Sequence, residues 1–423
     1  MSSPLSTLVP SSRHDSFSFQ WQQSSAFGCH HASHFPVDQW SLLKSASFLL
    51  GKGPTIDPGN TLTDRSFSQL IVFGDSLSDI GNLSSVAANF DIIFPPLPFA
   101  QTGSIGKAGR MTNGDLTQPE VPGNLWVEYF APRVGLQDQV KNLAVIGSTS
   151  GHANVVPATA ADLGITLPEE LQLPGVLDQI AGYVADLNTA NQPADPDALY
   201  VVWGGATDFL TLFPTPSLSS VVNAIVAGVA NVAKAVTTLV GTGAETIVVP
   251  NLPNLGLTPF AAGYNAAGAN VVSEATLFSI GFDLLLQPTL TVLERKLKQV
   301  NPEVDIIQID TFSLSEAIAD GKFGFEHTID PLFSHLSDPN LNPNGFAFSD
   351  PFHPTTRVHQ VFADLFQAAL SRPVASRVLQ SSIEAINDLI PSREGASFIS
   401  SLFGMAPEHH HFKHSVYPNR MAA

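Results

Sequence analysis

Three side chains of this sequence have the types and setting needed to activate a hydroxyl group. Ser76 follows the apolar run Leu70-Ile71-Val72-Phe73 and the turn residues Gly74-Asp75. Asp350 and His353 fall together, much later, in Asp350-Pro351-Phe352-His353-Pro354. A serine is a weak nucleophile until a base takes its proton, and an imidazole titrates near neutrality, so His353 is the candidate base. A carboxylate on the other ring nitrogen fixes the tautomer and stabilises the imidazolium, which is the role open to Asp350. Each residue alone says little: Gly-Asp-Ser is a common turn, a histidine at a helix start is usually solvated, and Asp350 could be an ordinary loop carboxylate. Their joint occurrence, with a strand before Ser76, points to nucleophilic catalysis.

Such residues need a frame. Five β-branched or aromatic runs are predicted strands: Leu70 to Phe73, Asn142 to Ile146, Ala198 to Trp203, Glu245 to Val249 and Val304 to Ile309. Helical patterns separate the later ones, over Val221 to Val240 and over Ala269 to Val300 with a break expected at Pro288. Apolar runs alternating with helices imply a parallel sheet covered on both faces. In open parallel sheets reactive groups collect at the carboxyl ends of the strands, where Ser76 falls. Gly324 to Asp350 reads as a long loop leading into Asp350 and His353, and Pro354 to Leu370 as a closing helix with Pro354 at its first position. Residues 1–64, rich in Ser, His, Pro and Gln, read as a loosely ordered arm, 65–372 as one globular domain, and 373–423 as a C-terminal helix followed by a His-rich tail.

Composition narrows the classes. The chain has 423 residues, 44% of them hydrophobic, enough for a large core. Its formal net charge of -18 repels phosphate backbones, so a nucleic-acid partner is disfavoured. A single cysteine, Cys29, allows no intrachain disulfide. The first twenty residues show no basic stretch followed by an apolar one, so no signal peptide is read there and a cytoplasmic location is slightly favoured over secretion. Val221 to Val240 is apolar, but Asn223, Asn231, Lys234, Thr237 and Thr238 gather in one arc of roughly 120°, which reads as a surface helix rather than a membrane span.

The ordered motifs resemble the GDSL, or SGNH, family of serine esterases and lipases, most of all its bacterial phospholipase/lecithinase/hemolysin-like branch. Gly74-Asp75-Ser76-Leu77 fits the family's first block, Gly109-Arg110-Met111-Thr112-Asn113-Gly114 its G-R-aromatic-S-N-G stretch, and Asn142 to Gly147 its second block. Ala198 to Phe209 resembles the third, Pro250 to Gly256 the P-N-L-P-D-L-G segment, and Asp350 to Thr356 the last. The resemblance implies a flavodoxin-like three-layer α/β/α sandwich with a five-stranded parallel sheet. It implies Ser76 as nucleophile, His353 as base, Asp350 as its orienter, and an oxyanion hole from the backbone N–H groups of Ser76 and Gly147 with a side chain of the third block. There the family carries Gly-x-Asn-Asp and this chain Gly205-Ala206-Thr207-Asp208, so Thr207 stands where an amide donor is expected. A hydroxyl is shorter and offers one proton, so an impaired oxyanion hole is expected.

The implied activity is cleavage of carboxylic esters through an acyl-enzyme, on a small-molecule ester or lipid, with no cofactor, no metal and no integral membrane association. Two alternatives stand beside it: a phospholipase acting on lipid aggregates, and a binding protein that keeps the fold without turnover. Asp75 and Asp208 read as structural. Cys29, His30, His31 and His34, and the tail residues His409, His410, His411 and His414, read as solvated rather than as metal sites. Phe90, Phe94, Phe99, Phe325 and Phe333 are candidates for lining an acyl pocket.

Overall fold

The computed structural model describes residues 66–90, 109–114, 123–162, 166–213 and 217–370. The arm expected over 1–64, the helix and tail expected over 373–423, Phe94 and Phe99 all fall outside these residues.

Five parallel strands form the central sheet: β1 (Leu70–Gly74), β2 (Val140–Asn142), β3 (Leu199–Trp203), β4 (Thr246–Pro250) and β5 (Asp305–Ile309). Their order is β2-β1-β3-β4-β5. The helices of ordinary length are α1 (Asn82–Ala88), α2 (Trp126–Arg133), α3 (Val156–Asp162), α4 (Val176–Ala190), α5 (Ala206–Leu210), α6 (Leu218–Thr242), α7 (Pro259–Ala266), α8 (Val271–Leu297), α9 (Thr311–Ala319) and α10 (Thr356–Leu370). A two-stranded parallel pair, β6 (His327–Pro331) and β7 (Phe346–Phe348), lies between α9 and α10.

The central strands β1, β3 and β4 are buried along their whole length because both faces are covered, whereas the edge strand β2 is a half-buried Val-Lys-Asn; the two-residue side-chain period sorts the buried residues into two cores. Ile71, Phe73, Tyr200, Val202, Ile247 and Val249 pack with α4, α6 and α8. Leu70, Val72, Leu199, Val201, Trp203 and Val248 pack with α2, α9 and α10. The result is the three-layer α/β/α sandwich expected. Trp126 anchors the second core, stacked on Phe366 at 4.2 Å between ring centroids and edge-on to Trp203. By length and apolar composition α6 and α8 could each cross a bilayer; in this fold they pack against one another in the first core.

Four expectations are corrected. The second strand ends at Asn142 rather than Ile146, because the chain leaves regular pairing there, although Leu143 and Val145 still donate N–H bonds to Val72 and Gly74. The break at Pro288 does not occur. Pro288 lacks the N–H that would bond Leu284, yet α8 runs through it, its N-terminal stretch buried against α6 and the Thr289 hydroxyl donating to the Leu285 carbonyl. The long loop before Asp350 contains the β6–β7 pair. Pro354 does not start the closing helix; it bridges to Phe348, and α10 begins at Thr356.

Candidate active site

The sheet order places the switch in winding direction beside β1, whose neighbours β2 and β3 lead the chain opposite ways. Crevices outside the strand carboxyl ends at such points are where ligands bind in open α/β sheets. Ser76 lies two residues past β1, and Thr207 four past β3.

The three residues singled out at the start converge there. His353 Nε2 is 3.0 Å from Ser76 Oγ, and His353 Nδ1 is 2.8 Å from Asp350 Oδ2. A carboxylate only accepts, so Nδ1 carries the proton and Nε2 is left to accept from the serine hydroxyl. Asp350 is held by its own turn: its Oδ1 accepts the backbone N–H groups of Phe352 and His353, both at 2.7 Å. It is buried, with 2% of its surface exposed, so the imidazole contact is shielded from water.

Gly147 lines the same cavity at φ 80°, a conformation open to glycine, and a Cβ there would come within 2.7 Å of Asn154 Oδ1. Among the described residues the N–H groups of Ser76 and Gly147 have no backbone or side-chain acceptor, so both are available to a developing oxyanion. Thr207 also lines the cavity, but its hydroxyl donates to Asp75 Oδ2 at 3.4 Å. Asp75 accepts the Leu77 N–H as well; burial pushes its carboxyl up to about 6, against the pull of that N–H and of His353. Asp208 accepts from the N–H and the hydroxyl of Ser150.

Three further positioning residues escaped the sequence reading. Gln179 of α4 accepts from the Gly74 N–H at 2.9 Å, donates to the Gly74 carbonyl at 2.8 Å and reaches the Ser148 hydroxyl at 2.9 Å. It therefore ties the strand before Ser76 to the residue after Gly147. Asp79 accepts N–H groups from Gly81 and Leu83 in its own turn and from Ile146, the residue before Gly147. Burial raises its pKa while these N–H groups oppose the rise. Asn113 accepts the Thr356 N–H at 2.9 Å, holding the start of α10. The G-R-M-T-N-G block contains Asn113, so its position could be found from the motif; Gln179 sits in an ordinary amphipathic helix and carries no such signal.

A cavity of about 410 Å³ opens beside Ser76 and His353. Its walls are overwhelmingly apolar, with Met111, Ile146, Val156, Phe209, Leu257 and Phe352 among them. Of the phenylalanines expected to line it, Phe90, Phe325 and Phe333 do not: Phe325 is buried in the second core and Phe90 is exposed. Phe209, Phe260, Phe348, Phe352 and Phe362 supply the aromatic wall instead.

The family profile of GDSL-like lipase/acylhydrolase matches residues 70–366. The chain belongs to that family. An uncharacterized protein of the trpE-trpG intergenic region in Pseudomonas putida is 29% identical over 332 residues, 73% of this chain and 49% of that relative, so the chain spans about half of the relative's length. A GDSL esterase/lipase of Arabidopsis thaliana is 24% identical across 75% of this chain and 88% of its own. A phosphatidylcholine-sterol acyltransferase of Aeromonas hydrophila is 25% identical across 74% and 80% respectively. Among solved structures, an acetyl xylan esterase from Geobacillus stearothermophilus covers 74% of this chain and 99% of its own, at 12% identity and a TM-score of 0.34, too low to bear on function.

Proposed function

We propose that this GDSL-family chain hydrolyses carboxylic esters with an apolar acyl group, through an acyl-enzyme on Ser76. The observation that carries the reading is the unbroken hydrogen-bonded line from Asp350 through His353 to Ser76, ending at the mouth of an apolar cavity.

The Ser76 oxygen attacks the ester carbonyl carbon while its proton passes to His353 Nε2. The carbonyl oxygen becomes an anion held by the N–H groups of Ser76 and Gly147. Asp350 stabilises the imidazolium. The carbon–oxygen bond to the alcohol then breaks, and His353 returns the proton to the departing alkoxide. A water, deprotonated by His353, attacks the acyl-enzyme and frees the carboxylic acid. The scheme calls on no cofactor, no metal and no nucleic acid, and the substrate is a small ester or lipid that enters the cavity from solution rather than from a membrane-embedded site. Thr207 contributes less than an amide would, because its one proton is directed at Asp75.

A panel of p-nitrophenyl esters of graded acyl length tests this, with Ser76→Ala as control. Turnover should fall by about 10³-fold or more in the control. A fluorophosphonate should label Ser76 in the native chain and fail to do so in His353→Ala. Folded protein that neither turns over any ester nor takes the label would instead support a binding protein on the same fold.

A further inference from the structure

His327, Asp330 and His335 lie together outside the active site, with one donor atom from each within 4.8 Å of the others. His327 Nδ1 and Asp330 Oδ2 are 3.4 Å apart. The two imidazoles share a support: His327 lies flat on Phe346 at 4.1 Å and 7° between planes, and His335 lies against the same ring at 5.1 Å. Their own centroids are 5.3 Å apart. Neither ring nitrogen of His335 has a hydrogen-bond acceptor or donor among the described residues.

We propose that His327, Asp330 and His335 form a divalent transition-metal site, with zinc as its ion. Two imidazoles and one carboxylate are the donor set of a borderline-soft ion and a poor set for calcium or magnesium, which take oxygen. Tetrahedral zinc with bonds of about 2.0–2.2 Å needs donors roughly 3.4 Å apart, which the His327–Asp330 pair meets; a small swing of the half-buried His335 ring completes the set, and water takes the fourth position.

The site braces the segment that carries Asp350 and His353. His327 stands opposite Phe346 in the β6–β7 pairing, and β7 runs on to Phe348, which bridges to Pro354. Phe333, two residues before His335, donates its N–H to the Ser349 carbonyl at 3.1 Å, and the Ser349 N–H donates to the His353 carbonyl at 2.8 Å. An ion joining the residues on either side of Pro331 therefore tightens both flanks of the strand entering the catalytic turn. Because the β6–β7 pairing gathers the three donors, the ion binds the folded chain more tightly than the unfolded one, and zinc raises thermal stability by mass action.

The test uses the full chain with Cys29→Ser and with alanine at His30, His31, His34, His409, His410, His411 and His414, which removes the other clusters of ligand type. Titration with zinc should give one equivalent with a Kd on the order of micromolar or tighter. Asp330→Asn should weaken it about ten-fold or more, and His335→Gln should abolish it. Cobalt(II) should give the visible absorption of a low-coordinate ion, lost in the same two variants. Zinc should raise the melting temperature of the parent but not of His335→Gln. Both positions are at least partly exposed, so these variants keep the fold, which circular dichroism without metal checks. Absence of saturable zinc binding by the parent, or binding unchanged by Asp330→Asn and His335→Gln, would overturn the proposal, whatever the esterase assays give.

Discussion

Gln179 satisfies both backbone groups of Gly74, at 2.9 and 2.8 Å, from a helix more than a hundred residues further along the chain. The same amide nitrogen touches Ser148, so a single side chain sets the separation between the turn that carries Ser76 and the loop of Gly147 after β2. Gln179→Leu removes three hydrogen bonds and strands the buried Gly74 N–H, while the Gly74 carbonyl keeps the Val145 N–H; the stranded group costs about 1–3 kcal/mol. We expect kcat to fall about ten-fold or more with KM little changed, because the substrate cavity is lined by other residues. Gln179→Glu, which can still accept the Gly74 N–H, should lie between the two. A Leu variant that is destabilised in urea but turns over at the native rate would show that Gln179 acts on stability alone.

Thr207→Asn addresses the oxyanion hole. The threonine proton is directed at Asp75 Oδ2 over 3.4 Å, so it is poorly placed for a charge developing in the cavity. An asparagine amide is longer and carries two protons, one of which can serve Asp75 while the other faces the substrate oxygen. A complete oxyanion donor is worth about 2.7–4 kcal/mol. We therefore expect kcat on an activated ester to rise by about ten-fold or more, short of the full value because Asp75 competes. Single-turnover acylation rates are the appropriate measurement; a fall or no change would place Thr207 outside the hole.

Much of this site was readable in the chain, for reasons that particular residues make plain. Ser76, Gly147 and the Asp350–His353 pair sit in short segments whose neighbours are constrained too: an apolar strand before, a tight turn at the residue, a helix after. Local constraint leaves a local signature. The central strands were legible because burial on both faces makes β1, β3 and β4 almost wholly apolar, whereas the half-buried edge strand β2, Val-Lys-Asn, gave no such signal and its bounds were misplaced. What failed was long-range. Gln179 and Asp79 position the turn by reaching groups dozens of residues away, and an ordinary polar side chain on a helix or in a turn does not announce such a partner. Pro288 misled because the rule that proline ends a helix weighs one lost hydrogen bond and one clash, whereas the burial of Phe278, Phe282, Leu286 and Leu290 along α8 outweighs both. The phenylalanines expected in the pocket were chosen because they occur in loops; the cavity instead draws its aromatic wall from Phe209 on α5, Phe260 on α7 and Phe352 in the turn before His353.

His359 should make the protein acid-sensitive. It is fully buried on α10, and among the described residues neither ring nitrogen has a partner. Burial lowers its pKa to about 3, with the nearby His353 adding to the effect. The unfolded chain takes up a proton below about 6.5 that the folded chain refuses until about 3, so stability falls as pH falls through that window, by up to about 1.4 kcal/mol per pH unit. Asp75, pushed up to about 6, works in the opposite sense between about 3.8 and 6, since there the folded chain holds a proton the unfolded chain has released. Comparing the native chain with His359→Leu isolates the histidine. Between about pH 7 and about pH 5 the urea midpoint of the native chain should move towards lower stability relative to that of His359→Leu, in which only the opposing carboxylates such as Asp75 remain. Equal pH dependence in the two would mean that His359 gains its proton while the chain is still folded.

Filling the cavity should change which esters are accepted without touching the catalytic line. Leu257, in the short turn before α7, lines the cavity and is only half-buried, so a larger side chain there has room to be accommodated on the solvent side. Leu257→Trp adds bulk to an apolar space of about 410 Å³. Each methylene of an acyl chain that loses its place in such a pocket forfeits about 0.8 kcal/mol of transfer free energy, or roughly four-fold in kcat/KM. The acetyl ester needs little of the space and should be cleaved at close to the native rate. Esters of long chains should lose in proportion to the number of methylenes excluded, so that the profile of kcat/KM against acyl length shifts to shorter chains. A uniform loss across all lengths would signal a disturbed Ser76–His353 geometry instead, and a profile that does not move would mean that the acyl group does not occupy this cavity.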